Sequence, residues 1–174
     1  SIPKVQGVPY QNLTVGCLIE VTDTIVDGYR KVVLLDGREG FVPDKYLMPK
    51  LFCTEEFKAE GTAADDAAFK AFLQAHLDQY FGGSEEAFRE ALAETAQKYY
   101  VGTQYRWGGK SPLGIDCSGT TSMTYMLNGI LTYRDARIVE GYPVKEIPRS
   151  EMKKGALLYF KGHIALYLGD DLFI

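Results

Sequence analysis

The spacing of apolar positions changes several times along the chain, and each change marks a new kind of element. From Leu13 to Thr24 and from Tyr29 to Pro43, short runs rich in Val, Ile, Leu, Tyr and Phe are broken at Asp27-Gly28 and Asp36-Gly37. Runs of this length bounded by Asp-Gly pairs predict short antiparallel strands joined by hairpin turns. Residues 1–50 are therefore expected to form a small antiparallel barrel or half-barrel. Beyond a linker around Gly61-Thr62, residues Phe69, Phe72, Leu73, His76, Leu77 and Tyr80 recur at helical spacing. They predict a helix over 65–81, capped by Asp65 and stopped by Gly82-Gly83. Ser84 opens a second helix: Glu85 and Glu86 suit its positive N-terminal end, and positions 88, 92, 95/96 and 99 share one face.

From Val101 onward the helical period is lost. Residues 102–116 read as a loop rich in Gly, Pro and aromatic residues, and 117–128 as a helix ended near Asn128-Gly129. Residues 131–150 read as irregular, with Pro143 and Pro148 as breakers. Residues 156–160 and 163–168 are apolar strands joined by Lys161-Gly162, and Leu172 begins another. Helices followed by strands imply an α+β arrangement. The expected organisation is a β domain over 1–50, a linker and helix over 51–83, and an α+β domain over 84–174.

Composition narrows the function classes. A chain of 174 residues, 46% hydrophobic and 24% charged, can bury a core and is not globally disordered. The net charge of -4 without a Lys/Arg block argues against nucleic acid as a partner, which would need a basic stripe. No run of 18 apolar residues exists, so no membrane span is expected. Ser1-Ile2-Pro3-Lys4 opens without a secretory apolar region, although a signal removed earlier would leave no trace. If the chain is exported, a cell-envelope or periplasmic place follows; a cytoplasmic place stays open. Of three cysteines, Cys17, Cys53 and Cys117, at least one is left without an internal disulfide partner. None lies in a CxxC pair and two histidines are too few for a zinc cluster, so no metal or cofactor is expected. Cys17, among Val15, Leu18 and Ile19, reads as a small core residue.

Cys117 reads differently. It sits in the first turn of a helix, directly after an irregular loop, where backbone amides and the macrodipole favour a thiolate. The same amides can donate to an oxyanion formed at an attacked carbonyl. Such a nucleophile benefits from an imidazole. His76 falls on the apolar side of the first helix and reads as structural, whereas His163 opens a strand and can face a cleft. Spacing alone does not establish the Cys117–His163 pair, because a cysteine and a distant histidine co-occur by chance.

The segment YVGTQYRWGGKSPLGIDCSGTTSMTYMLNGI resembles the catalytic segment of NlpC-type cysteine peptidases, a papain-like group acting on bacterial peptidoglycan. Gly102, Tyr105, Trp107, Gly108, Gly109, Asp116, Cys117, Ser118 and Gly119 match its G-x-x-Y-x-W-G-G and D-C-S-G patterns, and the stretch around His163 is similar to the family's following strands. The segment from Val15 to Pro43, with GREGFVPDKYL, resembles a bacterial SH3-type domain whose first strand is incomplete. Together with Tyr133–Ala136, this implies the subgroup that cleaves γ-D-glutamyl–L-diamino acid bonds in peptidoglycan-derived peptides. The resemblance implies Cys117 as nucleophile, His163 as base, the Cys117 amide and Tyr105 hydroxyl at the oxyanion, Asp116 facing a substrate ammonium, Ser118 on a polar part of the peptide and Trp107 walling the cleft. Duller readings stand beside these: Tyr105 and Trp107 as loop packing, Asp116 as a helix cap, and Arg134 with Asp135 as a structural ion pair. Two positions depart from the pattern. Ala156 follows Gly155 where the family often has Asp, and the polar residue that orients the histidine is expected just beyond Ile174. An inactive wall-binding module and an amidase or acyltransferase on the same fold are the competing readings.

Overall fold

Asp27 and Gly28 take φ angles of 51° and 78°, the two left-handed conformations that the favoured two-residue hairpin turn requires. They join β1 (Glu20–Val26) to β2 (Tyr29–Val33), and a turn at Asp36-Gly37 joins β2 to β3 (Glu39–Pro43). The computed structural model describes residues 11–51 and 66–174, and the chain separates into two units, 1–50 and 51–174. In the first unit, the three strands form an antiparallel sheet in the order β1-β2-β3, with a register shift between Val21 and Ile25. The described residues make this open sheet, not a closed barrel. Val32 is buried at its centre, and Arg30 ties β2 to the turn after β3 through Asp44 at 2.5 Å. Cys17 is exposed, contrary to its expected place in a core: it lies before β1, outside the paired strands that would cover it. Cys53, Asp65 and the Gly61-Thr62 linker lie outside the described residues.

The second unit mixes helices with an antiparallel sheet. It opens with α1 (Asp66–Tyr80) and α2 (Glu85–Tyr100). The Leu77 carbonyl closes α1 by accepting from the Phe81 and Gly83 amides, and Ser84 caps α2 by accepting from the Ala87 amide at 3.1 Å. Phe88, Leu92, Ala93, Ala96 and Tyr100 form the buried face of α2, so the helix ends on Tyr100 in the core and not on Tyr99. The loop expected over 102–116 contains a small hairpin, β4 (Lys110–Ser111) and β5 (Gly114–Ile115). These strands are too short to show an alternating pattern in sequence.

Next comes α3 (Cys117–Leu127). Gly129, at φ 87°, gives its amide to Met126, and Ile130 gives its amide to Tyr125. This paired closure needs a residue without a β-carbon at the left-handed position. It drops Ile130 into a cluster with Leu77, Phe88 and Leu92. His76 belongs to the same core. Its Nε2 donates to the Asn128 carbonyl at 2.8 Å, and its ring lies 5.1 to 5.6 Å from those of Tyr80, Phe81 and Phe88. Burial lowers its pKa, only partly offset by the carbonyl, so the ring is a neutral packing element.

The sheet consists of β6 (Leu157–Phe160), β7 (His163–Gly169) and β8 (Leu172–Phe173) in that order, all antiparallel. Pairing runs from Leu157↔Leu166 to Phe160↔His163, and two bonds between Leu166 and Ile174 extend it past β8. Helix α3 packs against β7, and Ile164, Ala165 and Leu166 are buried there. No helix among the described residues is long and apolar enough to cross a membrane.

Candidate active site

The first turn of α3 is built around one carboxylate. Asp116 Oδ1 caps the helix by accepting from the Gly119 amide at 2.6 Å, and Oδ2 accepts from the Gly108 amide at 2.7 Å and from Arg134 Nη2 at 2.9 Å. Arg134 continues to Ser118 Oγ at 2.7 Å and to the Gly109 carbonyl at 3.2 Å. One guanidinium thus joins the irregular 131–150 segment, the Gly108-Gly109 loop and the helix start. Burial alone would raise the Asp116 pKa, but the Arg134 bond, the two amides and the Arg134 charge together hold it below the usual carboxylate value.

This geometry bears on three expectations. Asp116 and Ser118 are 7% and 6% exposed, and both bond to partners of their own chain. Arg134 pairs with Asp116, not with Asp135, because only the former lies under the loop it anchors. Tyr105 and Trp107 are 59% and 86% exposed and so do not pack the loop. The backbone holds that loop instead: Tyr105 bridges Ile115, the Arg106 amide reaches the Ile115 carbonyl, and the Ile115 amide reaches Gln104. Burial, followed by the nearby charges of Cys117 and Asp116, raises the Tyr105 pKa. Its hydroxyl is therefore protonated near Cys117 and available as a donor.

Cys117 is a half-buried free thiol in the first turn of α3, and His163 is the exposed first residue of β7. The packing of α3 on β7 sets which ends of the two elements meet. Tyr125 Oη donates to the Gly155 carbonyl at 2.6 Å, and the Gly155 amide donates to the Tyr167 carbonyl at 2.8 Å. From that shared point, helical rise back to Cys117 covers about 12 Å, and strand rise back to His163 covers about 13 Å. Cys117 and His163 thus stand at similar distances along their own elements from that shared point. Among the described residues, no group of three or more His, Cys, Asp or Glu side chains is gathered as a metal site would require.

Two glycines of this region are required by contact. A β-carbon on Gly119 would stand 2.3 Å from the Gly109 carbonyl oxygen and 2.9 Å from both Asp116 Oδ1 and Ile115 Cγ1. One on Gly109 would stand 2.3 Å from the Gly114 oxygen. These close approaches bring the loop backbone down onto the helix start. Gly119→Ala is expected to destabilise the second unit by about 2–3 kcal/mol through overpacking, read as a lower urea midpoint with an unchanged slope. An unchanged midpoint would show that the loop can lift without cost.

Comparison with known proteins gives a consistent result. Residues 102–174 match the NlpC/P60 family. The chain is 41% identical to Dipeptidyl-peptidase 6 of Lysinibacillus sphaericus over 99% of its own length and 54% of that protein. It is 30% identical to Murein DD-endopeptidase MepH of Escherichia coli over 70% of its length and 47% of that protein. It is also 36% identical to Gamma-D-glutamyl-L-lysine dipeptidyl-peptidase of Bacillus cereus, over 42% of its length and 24% of that protein. The chain thus spans about half the length, or less, of these curated relatives.

Proposed function

Because residues 102–174 belong to the NlpC/P60 family, we propose that the chain is a papain-like cysteine peptidase hydrolysing the γ-D-glutamyl–L-diamino acid bond of peptidoglycan peptides. The observation that carries the reading is the start of α3: a partly exposed thiol on a capped helix N-terminus, on a helix packed against the strand that an exposed imidazole opens. Free amides at a helix start stabilise both a thiolate and an oxyanion. The resemblance to proteins named dipeptidyl-peptidase and gamma-D-glutamyl-L-lysine dipeptidyl-peptidase supports the bond class.

In this reading the Cys117 thiolate attacks the γ-amide carbonyl, and the C–N bond breaks as the His163 imidazolium gives its proton to the departing amine. Water then gives a proton to His163 and attacks the thioester, restoring the thiolate. The Cys117 amide and the Tyr105 hydroxyl donate to the oxyanion in both steps. Trp107, almost fully exposed on the same loop, offers an apolar wall to substrate. Asp116 and Ser118 act indirectly, by holding the helix start. The three-stranded sheet of the first unit, closed by the 3₁₀ turn Asp44–Tyr46, supports an SH3-type reading of that unit.

Digestion of L-Ala-γ-D-Glu-diaminopimelate and of its lysine counterpart, followed by mass analysis, tests the bond. Release of L-Ala-γ-D-Glu and a free diamino acid from either is expected. Release of L-Ala alone, or a cut only between sugar and peptide in intact muropeptides, would replace this reading with another hydrolase. No cut in any substrate would leave a fold without turnover.

A further inference from the structure

Two aromatic side chains of the sheet, one of them opposite His163, stand exposed. Phe160, the last residue of β6, is 52% exposed and Phe173 of β8 is 59% exposed. Phe160 stands directly opposite His163 in the strand register, across the two-residue Lys161-Gly162 turn. The two ring centroids are 6.2 Å apart with the planes tilted by 37°. Phe173 lies 6.5 Å from Phe160, tilted by 42°. Cross-strand rings at this separation attract one another in offset or tilted arrangements. This ring contact therefore bears on the orientation of the His163 imidazole.

We propose that Phe160, backed by Phe173, is a positioning residue that fixes the plane of the His163 imidazole. The inference rests on the reading of His163 as the base. An exposed imidazole rotates about two side-chain bonds, and a nitrogen displaced by even an ångström from the reacting atoms loses much of its effect. A flat aromatic face restricts that rotation to orientations close to stacking. An aliphatic side chain fills the same volume without selecting a plane. The turn holds the pair in place: Gly162, at φ 74°, lets two residues reverse the chain, so Phe160 and His163 remain opposite. Both side chains lie at an exposed strand end, so substitution there leaves the buried centre of β7 untouched.

The test uses the full chain with Phe160→Leu, Phe160→Ala and Phe160→Tyr, and His163→Ala as reference. Leu and Ala are expected to lower kcat about tenfold with KM within about twofold, and Tyr to restore wild-type kcat. The chain has two histidines, so imidazole proton resonances separate the effect. Those of His163 should move in Phe160→Leu while those of buried His76 stay fixed. Equal kcat for the Leu and Tyr variants, or unmoved His163 resonances, would overturn the proposal. An inactive His163→Ala beside a fully active Phe160→Leu would remove only the role of Phe160. An active His163→Ala would remove His163 as base and Phe160's role with it. The resonance shift is read without turnover and decides the ring contact even in a chain that cuts nothing.

Discussion

Cys117→Ala is expected to lower hydrolysis of a γ-D-glutamyl peptide by at least about 10³-fold, to the level set by binding and oxyanion donors alone. The substitution removes the atom that forms the thioester, and the remaining helix amides can orient substrate but cannot replace the nucleophile. His163→Ala is expected to lose a similar amount. The double variant should be no worse than either single one, because groups acting as a unit are not additive. Stability should barely change, since Cys117 is partly exposed and His163 is exposed. The same pair predicts a reactivity signature. Cys117 should react with iodoacetamide much faster than Cys17, although Cys17 is the more exposed thiol, because in this reading His163 can take its proton. Equal rates for the two thiols, or full activity in Cys117→Ala, would end the peptidase reading.

Helix starts and hairpins were the legible part of the sequence. Ser84 with two glutamates, and Asp116 before Cys117, are local signals whose meaning does not depend on distant residues, and both helices begin where these residues stand. The same holds for the Asp27-Gly28 and Lys161-Gly162 turns. What the spacing did not show was set by partners far along the chain. Arg134 looked like the neighbour of Asp135, but its guanidinium reaches across to Asp116, Ser118 and Gly109. Nor can a spacing show that both Asp116 oxygens already accept bonds from within the chain. The β4–β5 hairpin was invisible because two-residue strands carry no period. Gly109 and Gly119 were visible as motif positions, but their cause, backbone packed on backbone, appears only in three dimensions. Phe160 was legible merely as a strand residue; its register opposite His163 follows from the turn length.

Asp116→Ala is expected to be the most damaging single change to stability, about 3–5 kcal/mol at neutral pH. It removes the helix cap on Gly119, the acceptor for Gly108 and the charge opposing Arg134, which then remains half-buried with only Ser118 and Gly109. Asp116→Asn keeps one acceptor for the cap and should cost less, about 1–2 kcal/mol. The pH dependence follows from the direction of the shift. The folded-state pKa of Asp116 lies below its unfolded value near 3.8, so the folded state favours the ionised form. Its contribution is complete above that unfolded value and disappears as pH falls through the lower folded value. The gap in urea midpoint between wild type and Asp116→Asn should therefore stay constant from neutral pH down to about 4 and close below it. Combining Asp116→Ala with Arg134→Ala should cost less than the sum of the two, with a coupling of about 1–3 kcal/mol. A carboxylate that held a substrate ammonium would behave otherwise: its loss would raise KM, leave the urea midpoint unmoved and show no coupling to Arg134. That outcome would return Asp116 to the binding surface and remove the carboxylate–guanidinium clasp as the device that holds Cys117 at the helix start.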